Sequence, residues 1–225
     1  MAKSSYEYAA AALARPESAE PLVARAAKKK RRYSSYRGEV SEAPDNLLRD
    51  ERGKHHFKAS APNELWVTDV TEFRIPAGKS YLSPIIDCFD GMPISWAIST
   101  SPSAEMANSS LLGACSQLKA GEHPTGHSDR GCHYRWPGWI GICDEHGIVR
   151  SMSRKGCSPD NARAEGFFGR LKIEFFYGRD WSGAALDEFA DMLDAYLRWY
   201  RDVRLKSDLG YKSPMQYRRD LGLIA

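Results

Sequence analysis

The chain has 225 residues, of which 42% are hydrophobic and 27% are charged, a composition typical of a globular protein and unlike a fibre or a fully disordered chain. Its 32 basic and 29 acidic side chains give a formal net charge of +3, which alone does not indicate a nucleic-acid partner. No apolar run approaches the roughly 18 residues needed to cross a bilayer, so we expect no membrane-spanning segment.

The cysteine pattern argues for reduced thiols in a cytoplasmic protein. The number of cysteines is odd and no two form a C-x-x-C pair, which argues against a disulfide framework and against a zinc site. The five cysteines are Cys88, Cys115, Cys132, Cys143 and Cys157.

The first 60 residues have few large apolar side chains and are predicted to be a poorly ordered basic extension or linker, with one folded domain over residues 61–225. A basic block in the extension is followed by Tyr33 and Tyr36, a mixture that suits a phosphate backbone. A solvated tail is an equally good interpretation. The block consists of Lys28, Lys29, Lys30, Arg31 and Arg32.

Three antiparallel strands are predicted after residue 60. Residues 65–73 are rich in β-branched and aromatic side chains, and a turn at 76–79 leads to a second strand over 81–89. The Asp90-Gly91 pair predicts a hairpin into a third strand over 93–100, with Ile94, Trp96 and Ile98 on one face. Pro84 suggests that the second strand lies at an edge or contains a bulge.

Helices and further strands are predicted to alternate in the second half. Ser101-Pro102-Ser103 begins a helix that ends at Gly121, and a strand ends near His127. Helices follow over residues 136–146, 158–176 and 184–202, with a strand over 148–152. The last helix has an apolar stripe that we interpret as core packing, formed by Leu186, Phe189, Leu193, Tyr196 and Tyr200.

The helix over 158–176 has an unusual stripe. Asn161, Glu165, Phe168 and Lys172 recur at helical spacing, so they share one face. A packing stripe would be apolar, and this mixture favours a site, although a solvated face is the alternative.

Three carboxylates occupy positions that point to metal chemistry. Asp69 lies in the first predicted strand, where a carboxylate is costly unless it is paired or binds a metal. Asp129 follows 60 positions later, and 35 residues separate it from Glu165. Taken singly, each acid could be an ordinary surface or turn residue. Together they suit divalent ions with hard oxygen ligands and the cutting and joining of DNA.

The acid spacing and the surrounding motifs resemble the retroviral-integrase-like core of bacterial insertion-sequence transposases, of the type encoded by the second open reading frame. The spacing is similar to the D,D(35)E signature of that family, and the resemblance covers roughly residues 22–222. The matching motifs are Trp66-x-Thr68-Asp69-Val70-Thr71, Tyr81-Leu82, Asp87, His127-Ser128-Asp129-Arg130-Gly131, Tyr134, Ser151-Met152-Ser153-Arg154-Lys155-Gly156, Asp160-Asn161-Ala162-x-x-Glu165-x-Phe167-Phe168, Leu171-Lys172-x-Glu174, Trp199-Tyr200, Arg204 and Leu209-Gly210-Tyr211-x-Ser213-Pro214.

The resemblance implies an α/β, ribonuclease-H-like fold with a five-stranded mixed sheet flanked by helices. It implies that Asp69, Asp129 and Glu165 are catalytic and hold two Mg²⁺ ions, with Mn²⁺ as an alternative. Lys172 and Asn161 would both bind DNA, with Lys172 at the element's terminal DNA, and Asn161 would also support the metal ligands.

The resemblance also implies partners. The protein would act as a homo-multimer on element ends and target DNA, in the bacterial cytoplasm and associated with the nucleoid. It would also work with the helix-turn-helix protein of the upstream frame.

Two alternatives stay open. About 21 residues precede the matching part and do not have a helix-turn-helix pattern, so the chain could be a truncated, catalytically silent DNA-binding remnant. A nuclease of the same fold would cut DNA without joining it.

Overall fold

A mixed sheet of six strands forms the centre of the described domain. The computed structural model describes residues 42–154 and 158–224. β3 pairs antiparallel with β1, β2 and β4, whereas β1, β5 and β6 pair in parallel. The strands are β1 (Leu65–Thr68), β2 (Thr71–Ile75), β3 (Gly78–Asp87), β4 (Pro93–Ser99), β5 (Thr125–Ser128) and β6 (Val149–Met152).

Helices flank the sheet, as predicted. They are α1 (Ala104–Cys115), α2 (Pro137–Glu145), α3 (Ala162–Leu171), α4 (Leu186–Asp202) and α5 (Pro214–Asp220). Short 3-10 turns lie at Cys132–Arg135, Ser158–Asn161 and Ser207–Leu209, and a π-helical turn, Lys172–Phe176, extends α3. Among the residues that the structure describes, no helix is long and apolar enough to cross a membrane.

The predicted strand 65–73 is interrupted, which is why the sheet has six strands and not five. β1 and β2 follow the same register along one side of β3, with Thr68 opposite Ile85 and Thr71 opposite Leu82. In that register Asp69 lies opposite Pro84, which has no amide N–H to donate. The amide of Val70 instead donates to the Asp69 carboxylate at 2.7 Å. The sequence predicted an edge strand or a bulge at Pro84. The structure instead shows a break between β1 and β2 opposite Pro84, and β3 itself is a central strand.

A bulge in the β3–β4 pair divides the third predicted strand between two faces. The register shifts between Ile85 and Ile86, opposite the stretch that contains Ile94. Ile94 packs with the core beneath α1, whereas Trp96 and Ile98 pack against the core on the opposite face. The prediction that the three side chains share a face is therefore wrong.

The sheet has a core on each side. One core contains Val67, Leu82 and Phe167 together with the α4 stripe, of which Phe189, Leu193, Tyr196 and Tyr200 are buried and Leu186 is partly buried. The other contains Trp66 and Ile85 beneath α1 and α2. Because adjacent residues of β1 point to opposite faces, Trp66 and Val67 belong to different cores. The packing role predicted for the α4 stripe is confirmed.

Helix α1 is shorter than predicted. Ser103 is its N-cap and accepts from the Met106 amide, so Pro102 precedes the cap. The helix ends at Cys115 and not at Gly121, and Leu112 is 47% exposed. The apolar spacing that suggested a longer helix therefore includes side chains beyond its end and on its solvent side.

The segment after α4 is tied to the rest of the domain through its basic residues. Arg204 makes two hydrogen bonds to Glu174, at 2.7 and 2.6 Å. Lys206 donates to the backbone carbonyl of Asp90, and Arg218 contacts Asp87 and Asp90. These basic side chains therefore have internal partners.

We expect Arg218→Met to lower the free energy of unfolding by about 3–5 kcal/mol, because it leaves two buried carboxylates without their cation. Arg218 is 5% exposed and Asp87 is 0% exposed. Burial raises the pKa of Asp87, and the positive charge of Arg218 opposes that rise. Urea denaturation measures the change. Arg219→Met removes an exposed neighbouring charge and should change stability by less than about 0.5 kcal/mol. Equal effects of the two substitutions would contradict the structural role of Arg218.

Candidate active site

Asp69 stands at the break between β1 and β2. Its Oδ1 accepts from the Val70 amide at 2.7 Å, and its Oδ2 accepts from Asn161 Nδ2 at 2.9 Å. Burial, together with the negative charges of Asp129 and Glu165, raises the pKa of Asp69 to about 7 against the two hydrogen bonds. The strand break therefore holds a carboxylate in a setting that disfavours its charged form.

Asp129 leaves the sheet beside Asp69. β5 is the parallel neighbour of β1, with Val67 opposite His127, so both strands end at the same edge of the sheet. The Gly131 amide donates to Asp129 Oδ1 at 2.8 Å. Burial raises the pKa of Asp129, and this hydrogen bond and the charge of His133 oppose the rise.

Glu165 reaches the same place from α3. It lies in the first turn of that helix and is exposed, and its charge acts on Asp69. The charges of Asp129 and Glu165 thus both act on Asp69. Their metal-binding and catalytic roles stay predictions.

Asn161 and Lys172, the other predicted members of the stripe, both interact with Asp69, one through a hydrogen bond and the other through its charge. The Asn161 amide donates to the Asp69 carboxylate, while its own Oδ1 is buried without a hydrogen-bond partner in the described part of the chain. Lys172 Nζ lies 5.5 Å from the centre of the Phe73 ring. Burial lowers the pKa of Lys172, and the charges of Glu72 and Asp69 oppose that shift. Of the stripe, Phe168 alone belongs to the buried core.

The donor set suits a hard divalent cation. Carboxylate oxygens are the ligands that Mg²⁺ prefers, and a cation would relieve the repulsion that raises the pKa of Asp69. Within residues 42–154 and 158–224, no three acidic, histidine or cysteine side chains stand close enough together to enclose an ion in this conformation. The donor types and their charge therefore fit a metal, whereas the spacing of the acids in the described residues does not enclose one.

A buried polar network centred on His127 lies behind the acids. His127 Nε2 is 2.8 Å from the Asp160 carbonyl, which can only accept, so this nitrogen carries the proton. His127 Nδ1 then accepts from the Ser151 hydroxyl at 2.8 Å, and Ser151 Oγ accepts from the Leu47 amide. The network connects β5, which ends next to Asp129, to β6 and to the turn before α3.

Asp160 ties this turn to the N-terminal part of the described chain. Its buried carboxylate accepts from His55 Nε2 at 2.6 Å and from the backbone amide and Nε of Arg154 at 2.8 and 3.0 Å. Sequence reasoning assigned no role to His55, His127 or the Asp160 side chain. The motifs that contain His127 and Asp160 could be recognised in the sequence. The contact between His55 and Asp160 could not be predicted from local sequence, because the two residues are 105 positions apart.

The predicted DNA-contacting block Lys28, Lys29, Lys30, Arg31 and Arg32 lies outside the described residues. Its role stays a prediction.

Comparison with known proteins assigns the family. A family model described as "Integrase core domain" matches residues 59–158, and a second model with the same description matches residues 165–220. The first match spans Asp69 and Asp129, and the second begins at Glu165. The chain therefore belongs to the integrase-core family.

Relatives place the chain among the transposases of bacterial insertion sequences. It is 50% identical over 206 residues to the "Probable transposase for insertion sequence element IS1353" of Shigella flexneri, covering 92% of this chain and 39% of the relative. It is 39% identical to an uncharacterized transposase-like protein of Haemophilus influenzae, covering 84% of each. It is 35% identical to transposase InsF for insertion sequence IS3A of Escherichia coli, covering 68% of this chain and 52% of the relative. The chain thus spans well under half of the first relative.

Solved structures support the ribonuclease-H-like integrase fold. The simian T-cell lymphotropic virus intasome in complex with PP2A regulatory subunit B56 gamma matches with a TM-score of 0.59 and 19% identity, over 78% of this chain and 58% of that chain. The HTLV-2 integrase catalytic core domain in complex with magnesium, in a trimeric form, matches with a TM-score of 0.51 and 19% identity, over 70% of this chain and 97% of that chain. The predicted fold class is confirmed.

We expect Asp160→Asn to lower the free energy of unfolding by about 2 kcal/mol, because the neutral amide weakens charge-assisted hydrogen bonds in a buried site. Urea denaturation measures the loss. Asp144→Asn, an exposed change on α2, is the matched control and should stay within about 0.5 kcal/mol of the wild type. If the two variants are equally stable, Asp160 does not tie the turn to the segment around His55.

Proposed function

We propose that this chain is a polynucleotidyl transferase that cuts DNA at the ends of an insertion sequence and joins the freed ends to target DNA. The observation that carries the proposal is the convergence of Asp69, Asp129 and Glu165 at one edge of the sheet. The family and the relatives named as transposases support this activity. Because the chain spans 39% of the first relative, the activity of the whole protein is part of the proposal.

The same three carboxylates are proposed to hold Mg²⁺, as two ions, with Mn²⁺ as an alternative. Bound divalent ions would activate an attacking oxygen and stabilise the leaving oxygen of a phosphodiester. The HTLV-2 neighbour in complex with magnesium, a member of the same fold class, is consistent with this choice.

The chain's own residues orient the site. Asn161 donates to Asp69 Oδ2 and thereby fixes the direction of that carboxylate. The β1–β5 pair fixes the relative positions of Asp69 and Asp129, and the Asp160 turn fixes the start of the helix that carries Glu165. Lys172 supplies a positive charge beside Asp69, where a DNA phosphate would lie.

We also infer a homo-multimer acting on element ends and target DNA. The association with the nucleoid and the helix-turn-helix partner of the upstream frame stay predictions. The silent-remnant alternative is not favoured, because the family match and the transposase relatives extend across the acid-bearing region. A nuclease of the same fold is the second candidate. A transferase yields joined DNA product, whereas a nuclease yields only nicked product, so assaying for both products separates the two.

We expect purified protein with Mg²⁺ to join labelled DNA carrying the element's ends, and expect no reaction in EDTA. Asp69→Asn and Glu165→Gln should each lower the rate by more than about 100-fold, since even the outer partners of metal ligands change activity by about 10- to 100-fold. Gel electrophoresis of nicked and joined products measures both steps. Glu145→Gln, an exposed change at the end of α2, should be inert.

Asn161→Ala tests the orienting role of the amide separately. We expect a loss of about 10- to 100-fold with both products reduced together. Joining that persists in EDTA, or at wild-type rate in Glu165→Gln, would overturn the proposal. Nicking without joining would establish the nuclease in its place.

A further inference from the structure

A cavity of about 560 Å³ lies on the side of α3 away from the acids. It is bounded by α3, by the end of α4 and by residues 204–211, and none of Asp69, Asp129 and Glu165 lines it. Its basic lining residues are Arg163, Arg170, Arg204 and Lys206, and we name it the basic cavity.

Positive charge in the basic cavity exceeds its negative charge. Asp208 is the acid among the lining residues, and it lies 3.7 Å from Lys206. Just outside the lining, Glu174 pairs closely with Arg204 at 2.6 Å and loosely with Arg170 at 3.8 Å. Among the described residues, Arg163 has no carboxylate within salt-bridge distance. The Arg163 guanidinium therefore lines the cavity without a salt bridge to any described residue.

Two of the cations are held close together. A Cβ on Gly91 would stand 2.7 Å from Lys206 Nζ and 3.0 Å from Arg163 Nη2, so the two heads are neighbours over that glycine. Gly91 has a φ of +73°, which suits glycine, and its lack of a Cβ makes room for the two heads. Burial lowers the pKa of Lys206, and the charges of Arg163 and Arg204 lower it further, against Asp208 and Asp90. An anion between these heads would relieve their repulsion.

The walls of the cavity suit a nucleic-acid strand. Arg163, Gly166 and Arg170 lie at helical spacing on one face of α3, turned away from the face that carries Glu165. Tyr211 lines the rim and is 74% exposed, so an aromatic ring stands at the mouth of the cavity. Aromatic rings beside basic side chains are how proteins hold single nucleotides and backbones.

We propose that the basic cavity binds a phosphate group of the DNA backbone, at a contact separate from the acid site. The guanidinium of Arg163 would bind the phosphate oxygens in a forked geometry, with Lys206 as the second cation. This inference rests on the proposed function, because it assumes that DNA is the substrate.

The test measures DNA binding in EDTA, so that it does not depend on cleavage. Fluorescence anisotropy with a short labelled duplex, between about 50 and 200 mM salt, gives the affinity and its salt dependence. We expect Arg163→Gln to bind about tenfold more weakly and to lower the slope of log K against log salt by about 1. Arg198→Gln is the charge-matched control: Arg198 is 63% exposed, pairs with Asp194 and does not line the cavity.

A second pair of variants guards against misfolding. A Cβ on Gly166 meets no heavy atom within 4 Å, so Gly166→Glu places a negative charge at the cavity wall without a clash. Gly141→Glu makes the same change in α2, also with nothing within 4 Å. We expect Gly166→Glu to weaken duplex binding and Gly141→Glu to leave it unchanged, with equal melting temperatures for the two.

The outcomes separate this inference from the proposed function. If the wild type binds the duplex and both Arg163→Gln and Gly166→Glu match their controls, the basic cavity is not a DNA contact. Binding of inorganic phosphate that depends on Arg163, without any effect on duplex binding, would also overturn the DNA assignment. A third outcome is that duplex binding depends on Arg163 although the protein neither nicks nor joins DNA. That result would support the DNA contact at the basic cavity and contradict the proposed activity.

Discussion

Parallel pairing between β1 and β5 is the constraint on which the acid site depends. It brings Asp69 and Asp129, 60 positions apart in sequence, to neighbouring strand ends. Like charges so placed repel each other, and burial increases that repulsion because the surroundings screen it poorly. The site is therefore a strained electrostatic arrangement, held by the sheet and by the cores on its two faces. Such strain is tolerated where it serves a function.

Local patterns were enough to predict most elements. The stripe of α4 and the hairpin signal at Gly91 depend on residues close together in sequence, and both lie where they were predicted. The break at Asp69 was not predicted, because it depends on Pro84 across the sheet. The placement of Ile94 was missed for a similar reason, since a bulge between two strands has no single-strand signature.

The candidate site likewise has a part that the sequence predicts and a part that it does not. Spacing and residue type singled out Asp69, Asp129, Glu165 and Asn161, and the structure brings them together. The supporting network around His127 and Asp160 could not be predicted, because its partners come from residues 47–55 and 151–154. The internal partners of Arg204 and Arg218 could not be predicted either, because Glu174 and Asp87 lie 30 and 131 positions away in sequence.

The contact between Arg218 and Asp87 also bears on when the domain can be completed during synthesis. Asp87 ends a central strand, yet its cation is 131 positions further along the chain. At about 5–20 residues per second, a ribosome needs on the order of ten seconds to make the intervening segment. During that interval the sheet would carry a carboxylate that cannot be buried cheaply in its charged form. The strands can therefore associate early, but the native packing around Asp87 awaits the arrival of α5.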